Sequence, residues 1–436
     1  MGTIVPQKDI SRARLLMVSG AGWLFDAMDV LLLSYVLAYL KVHYGWATAD
    51  EAYVMLANNL GLLVGAIAFG RLADSFGRRR AFMTTLLVYS VMAAAMGFFT
   101  TPLPLMAVRF LMGLGLGGEL PVVSTLVSEL SRPEQRGMNV VLLESFWSYG
   151  TIAAGVLASF VLPIVGYSVL MWALAATALF VIAVRRGVPE SRRASTRPSF
   201  GSMIRSEGRR LFPAWVAWFA IAFGYYGFAL WVPSVLVDRG FTLLASFRYF
   251  LAMTLLQVPG YFSAAYLVER IGRKPTFISY MAISAISAIG FSLSSSAALL
   301  LAFGGALNFF NVGAWGVIYA YTPELFGDAN RASATGSCTS MARVGMILGP
   351  YIPALVAFGE SLWTFAILWL AGAAATALLP ETAPRALRTH SPEPRRIRGA
   401  ARGILTIVRT SWPAHLRAQA RLIGRRKIRG RLRPVI

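Results

Sequence analysis

Charge is what this chain has least of. Only 14% of its 436 residues are Asp, Glu, Lys or Arg, where a soluble chain of this length carries about a quarter. Acids are scarcer than bases, 19 against 41, giving a formal net charge of +22. One cysteine, Cys338, excludes an internal disulfide. The three histidines (His43, His390 and His415) fall in loops or in the C-terminal tail and form no metal-ligand or haem spacing. No catalytic triad and no nucleotide-binding fingerprint is present, so no cofactor, no metal and no enzymatic activity is expected.

The missing charge is replaced by apolar runs. Hydrophobic residues make up 57% of the chain, and the mean hydropathy is +0.61. About twelve runs are long enough to cross roughly 30 Å of hydrocarbon as helix. They lie near 15–38, 52–71, 81–100, 103–127, 138–162, 167–185, 213–236, 244–268, 276–295, 298–321, 333–356 and 360–379. Lipid leaves no partner for an open backbone, so such runs must be helical, and they are too long and too uniformly apolar for barrel strands. The first run is too long for a cleavable signal and lacks a small-residue cleavage site, so it reads as the first span. The expected architecture is an all-α membrane protein of twelve spans in the cell (cytoplasmic) membrane.

The excess of positive charge is unevenly placed. Residues 381–436 hold fifteen Arg/Lys and two Asp/Glu, a net of +13, which leaves +9 for the rest. Much of that remainder lies in alternate loops: Arg71 and Arg78 to Arg80, the Arg-rich stretch from Arg185 to Arg210, and Arg270, Arg273 and Lys274. The opposite loops, 100–104 and 292–296, carry no charge. That alternation places both termini in the cytoplasm and argues against a nucleic-acid partner. The basic tail reads either as a disordered extension or as a segment that adsorbs to anionic lipids.

The chain also repeats itself. Asp74-Ser75-Phe76-Gly77-Arg78-Arg79 recurs 195 positions later as Glu269-Arg270-Ile271-Gly272-Arg273-Lys274, and the same shift carries Glu129 and Arg136 onto Glu324 and Arg331. Val188-Pro189-Glu190-Ser191 is echoed by Leu379-Pro380-Glu381-Thr382. Internal repeats of this kind build many secondary transporters, with the substrate between the halves near the midplane. The expected organisation is a six-helix bundle over 1–186, a cytoplasmic loop over 187–212, a second bundle over 213–380 and the tail over 381–436. The repeated charges (Asp74, Arg78, Glu129, Arg136, Glu190, Glu269, Arg273, Glu324 and Arg331) are expected to form a cytoplasmic gate.

Ionisable residues inside the spans need a reason, because each costs at least about 2.5–3.5 kcal/mol to insert. Asp26 and Asp29 share a face of the first span. At about 1.5 Å per residue, Asp29 lies ~20 Å and Asp26 ~16 Å from the cytoplasmic start, and Arg109 in the fourth span lies at a depth of ~20 Å. Asp29 and Arg109 therefore match in depth, either as a static pair or as a pair released by protonation. Glu119 and Glu144, roughly 9–12 Å from the cytoplasmic face, are either proton relays or cavity residues. Arg343, ~16 Å deep, suits a bidentate carboxylate site or a pairing with Asp26 or Glu144. Aromatic and amide residues gather in the seventh and tenth spans: Tyr225, Tyr226 and Trp231, then Asn308, Asn311, Trp315 and Tyr319 on one helical face. They suit either a flat aromatic ligand or plain packing.

Gly70-Arg71-Leu72-Ala73-Asp74-Ser75-Phe76-Gly77-Arg78-Arg79-Arg80, with its weaker copy at 266–274, resembles the loop signature of the major facilitator superfamily. Glu129 with Arg136, Pro189-Glu190-Ser191 and Pro380-Glu381-Thr382 resemble its sugar-porter side, and Asp26-x-x-Asp29 resembles its aromatic-acid:proton symporters. Longer runs resemble bacterial niacin transporters: Gly117 to Val122, Val141 to Trp147, Trp231 to Ser234, Pro259 to Ala265, and Asn311 to Gly316 followed by Tyr319 to Glu324. The resemblance covers about 15–380. It implies proton-driven uptake of nicotinate or another small aromatic carboxylate by a monomeric carrier in the lipid bilayer. Arg343 would hold the anion, the aromatic and Asn residues would cradle the ring, and Asp26 or Asp29 with Arg109 would carry the coupling. The rival readings are an exporter of organic cations, a sugar-type or other organic-acid symporter, and a receptor without transport.

Overall fold

The computed structural model describes residues 12–76, 78–116, 141–185, 200–327 and 330–383. Glu119, Glu129, Arg136, Glu190 and the tail from 384 lie outside these residues, as do the side chains of Asp74 and Arg78. Every regular element among the described residues is helical, with no strand. Seven described helical stretches are long and apolar enough to cross a membrane.

The first part of the chain forms α1 (Arg12–Tyr44), α2 (Thr48–Phe76), α3 (Arg78–Met96), α4 (Pro102–Leu116), α5 (Phe146–Val156) and, after a π turn over Leu157–Val161, α6 (Leu162–Arg185). Gly166, at φ 76°, breaks α6 into two directions. Only glycine takes that conformation without strain, so the runs expected at 138–162 and 167–185 meet at a corner.

The second part forms α7 (Phe200–Ala229), α8 (Val232–Asp238), α9 (Leu243–Leu255), α10 (Gln257–Arg270), α11 (Arg273–Leu293), α12 (Ala297–Leu325), α13 (Arg331–Leu348), α14 (Ile352–Leu355) and α15 (Phe358–Ala377). The starts of α9 and α12 are written locally. Thr242 Oγ1 accepts from Ala245 N–H at 3.2 Å and Ser296 Oγ from Leu299 N–H at 3.3 Å, satisfying donors that a helix start leaves open. α7 begins at Phe200, inside the stretch 187–212 expected as the central loop.

Between apolar helices in lipid, association rests on close packing more than on the hydrophobic effect. The chain meets that demand with glycine, and does so twice. A Cβ at Gly150 of α5 would collide with the Leu24 carbonyl of α1, and one at Gly345 of α13 with the Phe219 carbonyl of α7. Both members of the first contact reappear 195 positions later in the second. The same holds for Gly65 of α2 against the Leu114 carbonyl of α4, and Gly260 of α10 against that of Phe309 in α12. The repeat seen in the loop charges therefore extends to backbone seams within the helices. Between the two parts, α1 meets α8 and α9, α5 meets α9 and α10, and α2 meets α13.

Candidate functional site

The N-terminal part holds a closed ion pair. Asp29 of α1 and Arg109 of α4 are 3% and 1% exposed, and Arg109 Nη1 donates to Asp29 Oδ2 at 3.2 Å. Tyr89 of α3 faces the Asp29 carboxylate. Asp26, three residues earlier on α1, is partly exposed. Two charges removed from water are tolerated only when paired, and this pair joins α1 to α4 inside the N-terminal part.

A second cluster lies where the two parts meet. Glu144, just ahead of α5, is buried and faces the Trp23 indole. Arg343 of α13 is also buried, and its Nη1 donates to the Leu62 carbonyl of α2 at 3.2 Å. Tyr226 of α7 and Tyr319 of α12 lie within electrostatic range of both Glu144 and Arg343. An acid from one part and a guanidinium from the other thus flank the same two tyrosines.

Rings fill the space around them. Trp315 of α12 stands 6.2 Å from Tyr225, 6.4 Å from Tyr226, 6.0 Å from Tyr319 and 5.9 Å from Trp218, centroid to centroid. Trp147 of α5 crosses from the other part and donates its indole N–H to the Tyr225 hydroxyl at 2.8 Å. The quadrupoles of edge-to-face rings leave flat faces suited to another aromatic ring.

The amides divide into two kinds. Asn308 is fully engaged: its Nδ2 donates to the Gly304 carbonyl at 2.8 Å and its Oδ1 accepts from Gln257 Nε2 at 2.7 Å. Gln257 Oε1 in turn accepts from Thr151 Oγ1 of α5 at 2.8 Å, tying the two parts together. Asn311, one turn further along α12, is 0% exposed, yet neither its Nδ2 nor its Oδ1 has a partner. The Trp315 indole N–H is likewise unpartnered. Buried polar groups left open cost about 1–3 kcal/mol each, so this face of α12 carries unmet hydrogen-bonding groups. Trp231 differs from Trp315, since its indole N–H donates to the Pro350 carbonyl at 2.7 Å.

The repeated charges of the second part form a local network. Arg273 reaches Glu269 at 3.4 Å and Glu324 at 3.1 Å. Glu381 accepts from the backbone N–H groups of Arg273 and Lys274, at 3.0 Å each, at the start of α11. Arg331 Nε donates to the Pro323 carbonyl at 2.9 Å. All these partners belong to the C-terminal part.

At the opposite end of the molecule is a cluster that the sequence reading did not select. Lys41 at the end of α1 lies 2.7 Å from Asp238 of α8 and 3.6 Å from Glu51 at the start of α2. Further along the same seam, Asn59 Nδ2 of α2 donates to the Met346 carbonyl of α13 at 2.6 Å. Thr151 and Gln257 were also missed, since a lone hydroxyl or amide in an apolar run has no periodic signal. The adjacent Asn58 and Asn59 inside the run 52–71 were a signal that could have been used.

A family model described as Major Facilitator Superfamily matches residues 20–265 and 249–430. A protein of Bacillus subtilis named "Putative niacin/nicotinamide transporter NiaP" is 42% identical over 358 residues, covering 79% of this chain and 89% of its own. The niacin transporter NiaP of Acinetobacter baylyi is 36% identical over 409 residues, covering 84% and 93%. The synaptic vesicle 2-related protein of Rattus norvegicus is 26% identical over 443 residues, covering 87% and 80%.

Proposed function

The chain belongs to the major facilitator superfamily and is a membrane transporter, not an enzyme; we propose that it imports niacin as the nicotinate anion, coupled to protons, by alternating access. The observation that carries this reading is the junction of the two parts. There Arg343, two tyrosines and the Trp315 ring surround a face of α12 whose Asn311 amide is open. Arg343 takes the carboxylate, because a guanidinium offers two parallel donors to it, and the rings of Tyr226, Trp315 and Tyr319 take the pyridine.

The two six-helix halves rock about that site, with the central loop and both termini on the cytoplasmic side. The Lys41, Glu51 and Asp238 cluster then closes the outer face, and the Arg273, Glu324 and Glu269 network belongs to the inner gate. Protonation of Asp29 weakens its hold on Arg109 and frees α1 against α4. Glu144, in range of the same tyrosines as Arg343, relays the charge change to the substrate site. The chain works as a monomer in the cell membrane, and its basic tail rests on anionic lipid.

The test is uptake of labelled nicotinate by cells that lack their own carrier. Wild type accumulates it, and Arg343→Ala abolishes accumulation while membrane insertion persists. Uptake by Arg343→Ala equal to wild type would rule out the anion site.

A further inference from the structure

Five of the ten described indoles donate to an acceptor within the protein. Trp46 donates to the Thr100 carbonyl, Trp147 to Tyr225, Trp215 to Ser337, Trp218 to Thr322 and Trp231 to Pro350, all between 2.7 and 3.0 Å. Trp315 does not, although only 8% of it is exposed and rings surround it. The indole of Trp369 is also open, but it packs against Gly224 behind α7. The Trp23 indole is open as well, but it faces the Glu144 carboxyl. What sets Trp315 apart is its company. One turn earlier on the same face of α12, Asn311 is fully buried with both amide atoms open.

An open N–H donor beside an open amide describes the polar edge of a ligand. The carboxylate end of a ligand is answered by Arg343, which shares Tyr226 and Tyr319 with Trp315. The donors on α12 are left for the ring end. A ring made only of C–H groups would bury the Trp315 N–H without an acceptor, whereas a ring nitrogen lone pair would complete it. Sites that offer buried hydrogen-bonding groups reject analogues lacking the partner far more strongly than apolar pockets do.

We infer that Trp315 and Asn311 are specificity-determining residues that read a hydrogen-bond acceptor in the substrate ring. The site therefore selects heteroaromatic carboxylates over plain aromatic acids. Trp315 supplies the N–H, and the Asn311 amide completes the polar edge. The inference rests on the proposed transport of an aromatic carboxylate and narrows it to a class of rings.

The experiment is competition against labelled nicotinate, both for binding to the purified full chain and for uptake by cells, with benzoate and the three pyridine carboxylate isomers as competitors. In wild type, benzoate is expected to compete ~10- to 100-fold more weakly than nicotinate, the factor set by one buried donor left open. Trp315→Phe keeps the ring and removes the N–H. Asn311→Leu keeps the volume and removes the amide. Each should weaken nicotinate more than benzoate, so that their ratio falls toward one, with Trp315→Phe the larger effect. Benzoate within about twofold of nicotinate in wild type, or an unaltered ratio in both variants, would overturn the inference and leave nicotinate transport standing. Absence of any nicotinate binding or uptake by wild type would overturn both.

Discussion

Ser234 donates its hydroxyl to Glu51 Oε2 at 2.7 Å, and that bond joins the start of α2 to α8 in the other part of the chain. Glu51 is fully buried and stands one residue ahead of the apolar run 52–71, at the membrane edge. Lys41 and Asp238 complete the group around it. Burial pushes the Glu51 carboxyl up to about 7, against the opposing pull of Lys41 and Ser234.

A raised carboxyl in the closed arrangement favours that arrangement when protonated. If α2 and α8 part in the proposed alternating-access cycle, the group returns toward its ordinary value of 4.5. Closure is therefore fully favoured below that value and is lost as pH rises through about 7. A cysteine at Asn59, in a Cys338→Ser background and with its rate divided by that of an exposed cysteine at the same pH to remove the thiolate dependence, should react more slowly with a membrane-impermeant maleimide at pH 5.5 than at pH 8. Glu51→Gln should hold the slow rate at both values. Equal rates at the two pH values in the Glu51-containing protein would count against the latch.

Arg109→Ala should be the costliest change at the Asp29 pair. It leaves a buried carboxylate uncompensated, at about 3–5 kcal/mol. Asp29→Asn combined with Arg109→Gln should recover most of that loss, measured as the midpoint of thermal unfolding in detergent. If Asp29 carries the coupling proton, Asp29→Asn should keep nicotinate counterflow but lose its acceleration by an imposed pH gradient.

Glu381→Ala should loosen the start of α11. It removes the acceptor of two backbone N–H groups at 3.0 Å, a charge-assisted cap worth about 1–2 kcal/mol. Glu381→Gln should lose less. Amide hydrogen exchange at Arg273 and Lys274 reads the effect directly and should rise in the Ala variant.

Gly345→Val should destabilise strongly, since its Cβ would meet the Phe219 backbone and overpacking costs about 1–3 kcal/mol or more. Gly336→Ala, on the same helix with nothing within 4 Å of the added carbon, should be neutral or stabilising by roughly 0.5–1 kcal/mol. The difference between the two unfolding midpoints tests whether the seam, and not helix propensity, sets the requirement.

Much of this arrangement could be read from spacing. Asp29 and Arg109 match in depth because rise per residue is fixed, and depth is all a straight pair of spans needs. Asn311, Trp315 and Tyr319 share a helical face, and that face carries the open groups. Spacing could not tell Asn308 from Asn311, because the difference lies in Gln257, a residue on another helix. Nor could it single out Glu51. An acid in the first turn of a helix is ordinary, since it complements the helix dipole, and only its burial against α8 makes it unusual. Nor does spacing show that the Trp231 indole bonds the Pro350 carbonyl, more than a hundred positions away in sequence.

The glycine seams also decide which parts of the molecule can bend. Where Gly150 lies on Leu24 and Gly345 on Phe219, backbone rests on backbone, and nothing there can rotate or lengthen to absorb motion. Across the junction the contacts are side chains: Ser234 to Glu51, Asn59 to Met346, Trp147 to Tyr225. Stiffness is thus concentrated within each repeat and compliance between them. In the proposed alternating-access cycle, a force applied at the ligand would be passed on as rotation of whole bundles, with the hydrogen bonds along the junction as the place where it is released.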